Sequence, residues 1–197
     1  MRNSLPAILA ILALGVAGQG SNLNSNPQTQ VANSLSAHDR LIADAFEKRV
    51  KEYAKLREDL EAQMPKLSKE AKPEEIELHK KQFQERVRAA RATAKHTDIF
   101  TADAATLIRA IIKDEFKGQD RVELRDTVLR EADTKAVPLR VNYPYPESEE
   151  LLEMPATLLQ RLPQLPKQVR YRFVGRNLLL VDRENGLIVD YMTNAIP

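Results

Sequence analysis

Residues 36–64, SAHDRLIADAFEKRVKEYAKLREDLEAQM, decide the first half of the fold. Ile42, Phe46, Val50, Tyr53, Leu56, Leu60 and Met64 recur at spacings of four and three, the rhythm of one helical face. Glu47, Lys48, Arg49, Lys51, Glu52, Arg57, Glu58 and Asp59 fall between them and read as a solvated face. Ser36 followed three residues later by Asp39 reads as a capping-box variant, and Pro65 ends the run.

Outward from this helix the pattern repeats. Residues 66–72 form a polar link, and Pro73 suits the first turn of a second helix, with Glu74, Glu75 and Glu77 at the positive end of its dipole. Its stripe is Ile76, His79, Phe83, Val87, Ala90 and Ala94. Two amphipathic helices joined by a short link are expected to pack as an antiparallel hairpin. Thr101 caps a third helix with Asp103 in its first turn. Leu107, Ile108, Ile111, Ile112 and Phe116 form its apolar face, and Gly118 is its stop. A fourth helix is expected over about residues 120–132, with Leu124, Val128 and Leu129.

At Pro138 the character changes, with six of the eleven prolines between Pro138 and Pro166. Residues 142–147 (NYPYPE) should be extended, because a residue before proline avoids the helical region. Residues 155–161 (PATLLQR) suit a short helix beginning at proline. Three strand-like runs follow at 169–174, 178–182 and 187–191. In the first, Tyr171 and Phe173 alternate with Arg170 and Arg172, a half-buried pattern. Residues 175–177 (GRN) and 184–186 (ENG) are turn sequences, Asn-Gly being a strong hairpin signal. The fold class is therefore α+β: a mainly helical body over 36–135, made of the hairpin and two further helices, then 136–197 with a three-stranded antiparallel meander. Such a sheet is marginal alone and must pack on the helices.

Arg2 followed by the apolar run 5–16 (LPAILAILALGV), with Gly15, Ala17 and Gly18 small, reads as a signal peptide over 1–18. An uncleaved anchor is the alternative, but spanning needs roughly 20 apolar residues. No cysteine follows, which excludes a lipoprotein anchor, and no second hydrophobic run follows, so no integral span is expected in the mature chain. Residues 19–35, rich in Asn, Gln and Ser, read as a flexible tether. The expected address is exported, periplasm or medium. With no cysteine in 197 residues, stability must come from burial rather than disulfides. The formal charge of +2 falls to +1 once Arg2 is removed, which gives no reason to expect nucleic acid as a partner.

Residues 86–100 (RVRAARATAKHTDIF), 138–144 (PLRVNYP) and the ending 171–197 resemble an uncharacterised family of exported bacterial proteins. The last 25 or so residues are also similar to the small periplasmic domain of the RcnB nickel/cobalt homeostasis family. The second likeness implies a periplasmic β module and transfers no ligand positions. The first implies no function.

The candidate chemistry is sparse. His79 lies in an apolar stripe with Glu75 one turn before it, a weak metal or pH-sensing pair set against a seam histidine bonded to Tyr53 or a glutamate. His96 near Asp98, with Ser68 and Ser148, lacks the Gly-x-Ser-x-Gly elbow of a hydrolase triad, and His38 only opens a helix. Residues 182–186 (DRENG) fail calcium-loop spacing and read as a turn; Glu149 and Glu150 read as solvated. The basic cluster of Arg86, Arg88, Arg91 and Lys95 is the binding candidate, with Arg88, Arg91 and Lys95 on one helix face. They would meet an acidic polymer or an envelope protein, against dipole compensation and ion pairs to the first helix. No cofactor is implied. The expected function is a non-enzymatic binding or scaffolding role in the cell envelope. Two alternatives stand beside it: an envelope hydrolase in which Glu149, Asp182, Asp190, His79 or His96 converge, and periplasmic metal handling.

Overall fold

A computed structural model describes residues 35–117, 126, 138–145 and 154–196. The expected signal peptide, most of the tether, Gly118, Ser148, Glu149 and Glu150 lie outside the described residues. So does the fourth helix except for Asp126, which is helical.

Helix α1 spans Ala37–Ala62. Ser36 caps it as expected, its hydroxyl oxygen accepting from Asp39 N at 3.0 Å. The Asp39 carboxylate accepts from that same hydroxyl at 2.7 Å rather than from the backbone of the cap. The buried positions are Ala43, Phe46, Val50, Tyr53, Ala54 and Arg57. Arg57 is a correction: expected on the solvated face, it is 4% exposed, because it continues the 46-50-53 row by one more step of four.

Helix α2 spans Pro73–Ala90. Only Phe83 and Val87 of the expected stripe are buried; Ile76 is 46% exposed, so the start of the stripe does not face the core. The helix also stops four residues before Ala94. Asn142 Nδ2 donates to the Arg91 carbonyl at 2.8 Å, and the Asp190 carboxylate accepts from the amides of Thr97, Ile99 and Phe100 at 2.8–3.1 Å. Bonds from distant side chains thus replace the next helical turn.

Helix α3, Ala102–Glu115, is capped by the Thr101 hydroxyl and buries Leu107, Ile108, Ile111 and Ile112 as its pattern requires. A short helix α4, Ala156–Arg161, follows Pro155. Arg161 ties it to α3 through Glu115 at 3.0 Å and Asp114 at 2.5 Å.

Strands β1 (Val169–Val174), β2 (Asn177–Asp182) and β3 (Ile188–Met192) form the antiparallel meander in the order β1-β2-β3. The β1–β2 turn has Gly175 at φ 53 as the first of its two central residues, where glycine is needed for a type II′ geometry. The second turn is longer than a two-residue Asn-Gly turn. Gly186 alone takes a positive φ, of 71, and its N–H returns to the Asp182 carbonyl at 3.0 Å. Pairing of Leu180 with Asp190 and of Val181 with Ile188 leaves Val189 as a bulge.

Two findings go beyond the half-buried pattern that β1 keeps. One face, with Tyr171, Phe173, Leu178, Leu180 and Val189, shares a core with α1, α2, α3 and α4. The other face is apolar too: Leu179, Val181, Ile188, Val174 and Tyr145 form a second cluster. Central strand β2 is therefore buried on both sides. Residues 142–145 also lie along the outer edge of β3, with Asn142 N to the Ile188 carbonyl at 2.8 Å, Ile188 N to the Tyr143 carbonyl at 2.9 Å and Tyr145 N to the Gly186 carbonyl at 3.2 Å. Pro144 is tolerated because it sits at an edge. Within this expected extended segment Asn142 instead takes φ 65.

Candidate functional site

The expected binding face does not form. Because α2 ends at Ala90, Arg91 and Lys95 are not one helical turn apart. Arg91 turns inward: Nη1 donates to Asn142 Oδ1 at 2.7 Å and Nη2 to the Val189 carbonyl at 3.0 Å, the carbonyl exposed by the bulge. Its guanidinium lies 4.9 Å from the Tyr53 ring centre, and burial pulls its pKa below the ordinary arginine value despite Tyr53 and Asp190 nearby. Arg88 Nε donates to the Asn142 carbonyl at 3.3 Å. Neither of them pairs with an acid on α1. Lys95 is exposed, its backbone N–H held by Asp98 at 2.7 Å.

The titratable candidates are engaged separately. The Glu75 carboxylate accepts from Lys72 N at 2.7 Å at the helix start, while His79 Nε2 lies 3.1 Å from the Pro65 carbonyl. His79 does border a cleft of about 490 Å³ with Glu58, Glu61 and Glu184, but Glu61 and Glu184 are partners of Arg57 and Glu58 accepts from the Gln168 side chain. His96 stacks on Tyr191 at 4.1 Å, its Nδ1 3.6 Å from Asp190. Asp182 and Asp190 do not converge on a pocket. Asp182, fully buried, accepts from Tyr53 Oη at 2.8 Å, Arg57 Nε at 3.0 Å and the amides of Glu184 and Asn185. Burial, then the charge and hydrogen bond of Asp182, raise the Tyr53 pKa well above its usual value. These are seam-locking groups. Among the described residues no three His, Asp or Glu side chains gather where they would hold a metal ion.

A different constellation assembles beside β1. The link between α4 and β1, strand β1 and the β2–β3 turn enclose a cleft of about 360 Å³, within the range of small-ligand sites. Met154, Leu159 and Leu165 give it an apolar lining, and Lys167, Arg170, Arg172 and Arg183 bring four cations. No acidic residue lines it among the described residues. Alternation in β1 puts Arg170 and Arg172 on the same side, and Arg183 joins them because its N–H donates to the Gln168 carbonyl at 2.9 Å. Arg172 Nη1 donates to the Tyr171 carbonyl at 2.9 Å. Arg170 Nε is buried with no acceptor among the described residues. A buried donor left unpaired costs about 1–3 kcal/mol, a cost an oxyanion would offset once the side chain turned Nε into the cleft. The nearby acids are committed elsewhere: Glu47 accepts from Gln164 N at 2.8 Å, and Glu58 from the Gln168 side chain. Tyr171 donates its hydroxyl to the Pro163 carbonyl at 3.0 Å and bounds the cleft as a neutral group, its pKa raised well above normal by burial and the charge of Glu47.

Sequence reading missed these cations because it assigned Arg170 and Arg172 to the wet side of a strand and Arg183 to a turn. The usable signal was that every charge from Lys167 to Arg172 is positive.

Comparison with family models, with curated proteins and with solved structures finds no match for the chain. Among the described residues no helix is long and apolar enough to cross a membrane.

Proposed function

We propose that the chain is an exported, non-enzymatic binding protein of the cell envelope that holds an acidic partner in the cleft beside β1. The observation that carries this reading is the meeting of four cations over an apolar lining, with one buried guanidinium nitrogen unpaired. Export rests on the charged and apolar pattern of residues 1–18. The carboxylate hydrolase draws no support from Asp182 and Asp190, whose oxygens are already taken by structural donors.

Exposed ion pairs contribute about 0.2–1 kcal/mol each, so those of Lys167, Arg170 and Arg183 together give roughly 0.6–3 kcal/mol, or about threefold to 150-fold in affinity. Titration calorimetry with poly-L-glutamate is the test. Binding that weakens between low salt and physiological salt, and falls about tenfold or more in the Lys167→Gln, Arg170→Gln, Arg183→Gln triple variant, is the expected result. Equal binding by the triple variant removes the cleft from the reading.

A further inference from the structure

We propose a second oxyanion site at the opposite edge of the sheet, formed by Arg88 and Arg140 around the ring of Tyr143, for a carboxylate or phosphate group. The Arg140 Cζ lies 3.9 Å and the Arg88 Cζ 4.8 Å from the Tyr143 ring centre, both within cation–π range. The two guanidinium groups are thus less than about 9 Å apart, close enough to repel. Among the described residues no carboxylate pairs with either one. Arg140 has no acceptor at all there, and Arg88 only the Asn142 carbonyl, through Nε. Two like charges are thus held against one ring with N–H donors unused. An oxyanion bridging them with N···O contacts of about 2.8 Å would relieve the repulsion and satisfy both.

The ring and its supports are fixed in place. Tyr143 is 38% exposed, yet its backbone is bound on both sides, N–H to the Arg140 carbonyl at 3.2 Å and carbonyl to Ile188 N at 2.9 Å. Asn142, just before it, is buried and held at φ 65 by Arg91, which both donates to its side chain and accepts from it. A non-glycine residue in that region is costly and persists where surrounding bonds impose it, a feature often found under binding sites. Arg91, expected as a ligand-binding residue itself, becomes the positioning residue below Tyr143 and Arg88. The site does not depend on the β1 cleft: Tyr143 lies beyond β3, while the cleft lies at β1.

The test uses the full mature chain and follows the Arg Nε–H signals and the Tyr143 amide by NMR. Inorganic phosphate, acetate and chloride are titrated in separate arms at matched ionic strength. Saturable shifts at Arg88, Arg140 and Tyr143 with phosphate or acetate, and none with chloride, are expected. The arm that saturates tells a phosphate-bearing from a carboxylate-bearing source. Arg140→Gln should weaken binding about tenfold, the loss of one charge-assisted contact, while the melting temperature stays unchanged. Tyr143→Leu should weaken it too, by freeing the guanidinium groups. Shifts that follow chloride as well, or that persist in Arg140→Gln, would overturn the proposal. Loss of these shifts in the Lys167→Gln, Arg170→Gln, Arg183→Gln variant would overturn it as a separate site. Phosphate or acetate binding here with no poly-L-glutamate binding in the cleft would leave this site standing and retire the cleft.

Discussion

Arg57 and Arg91 at the seam between helices and sheet contrast with Lys167, Arg170 and Arg183 at the β1 cleft. The first pair is surrounded by acceptors: Asp182, Glu61 and Glu184 for Arg57, Asn142 and Val189 for Arg91. The second group faces a cavity with no acid on its lining among the described residues. The same side-chain chemistry thus locks the fold in one region and lines an acid-free cleft in the other. What separates them is the partner each meets, and apart from Glu61 those partners lie 51 to 127 positions away.

Substitutions can break this contrast in either direction. Arg57→Ala should do the most damage, leaving Asp182 buried without its counter-ion; the expected loss is about 3–5 kcal/mol. Urea unfolding would read it, and poly-L-glutamate affinity of the folded fraction should not change. Arg91→Ala removes two charge-assisted bonds and should cost about 2–3 kcal/mol in the same measurement. Neutralising Lys167, Arg170 and Arg183 together reverses the pattern. Calorimetric affinity for the acidic polymer should fall about tenfold or more, with stability changed by less than about 1 kcal/mol.

Tyr53→Phe should cost about 1 kcal/mol at neutral pH, and its alkaline profile sharpens the comparison. The folded Tyr53 holds its proton above the ordinary tyrosine value, so its stabilising contribution is complete below about pH 10. It is lost as pH rises from there toward the raised folded pKa, since the unfolded chain then binds fewer protons. Denaturation between pH 9 and 12, monitored by circular dichroism, should be flatter in the variant; buried Tyr171 supplies the remaining slope. Lys95→Gln should be the smallest, within about 0.5 kcal/mol and without effect on binding, as expected for an exposed lysine.

Local signals carried most of the fold. The Ser36 and Thr101 caps, the Phe46-Val50-Tyr53 row and the alternation in β1 depend on neighbours within a turn or a strand, and each forms as its pattern implies. Arg57 was misread because charge outweighed its place in the row; only the distant Asp182 makes its burial possible. The end of α2 was misread for a similar reason, since Asn142 and Asp190 compete with the helix from other parts of the chain. Of the expected site, Arg88 remains beside the exposed ring of Tyr143, Arg91 serves the fold, and Lys95 stands apart. The cleft could not be read from spacing, because Lys167, Arg170 and Arg183 come together through strand pairing rather than through a helical face.

The most direct test is an amide chemical-shift map of the chain titrated with poly-L-glutamate at low salt. Saturable shifts centred on residues 165–172 and Arg183 are expected, with residues 89–95 unmoved. Shifts centred on residues 89–95, with residues 165–172 and Arg183 silent, would contradict it.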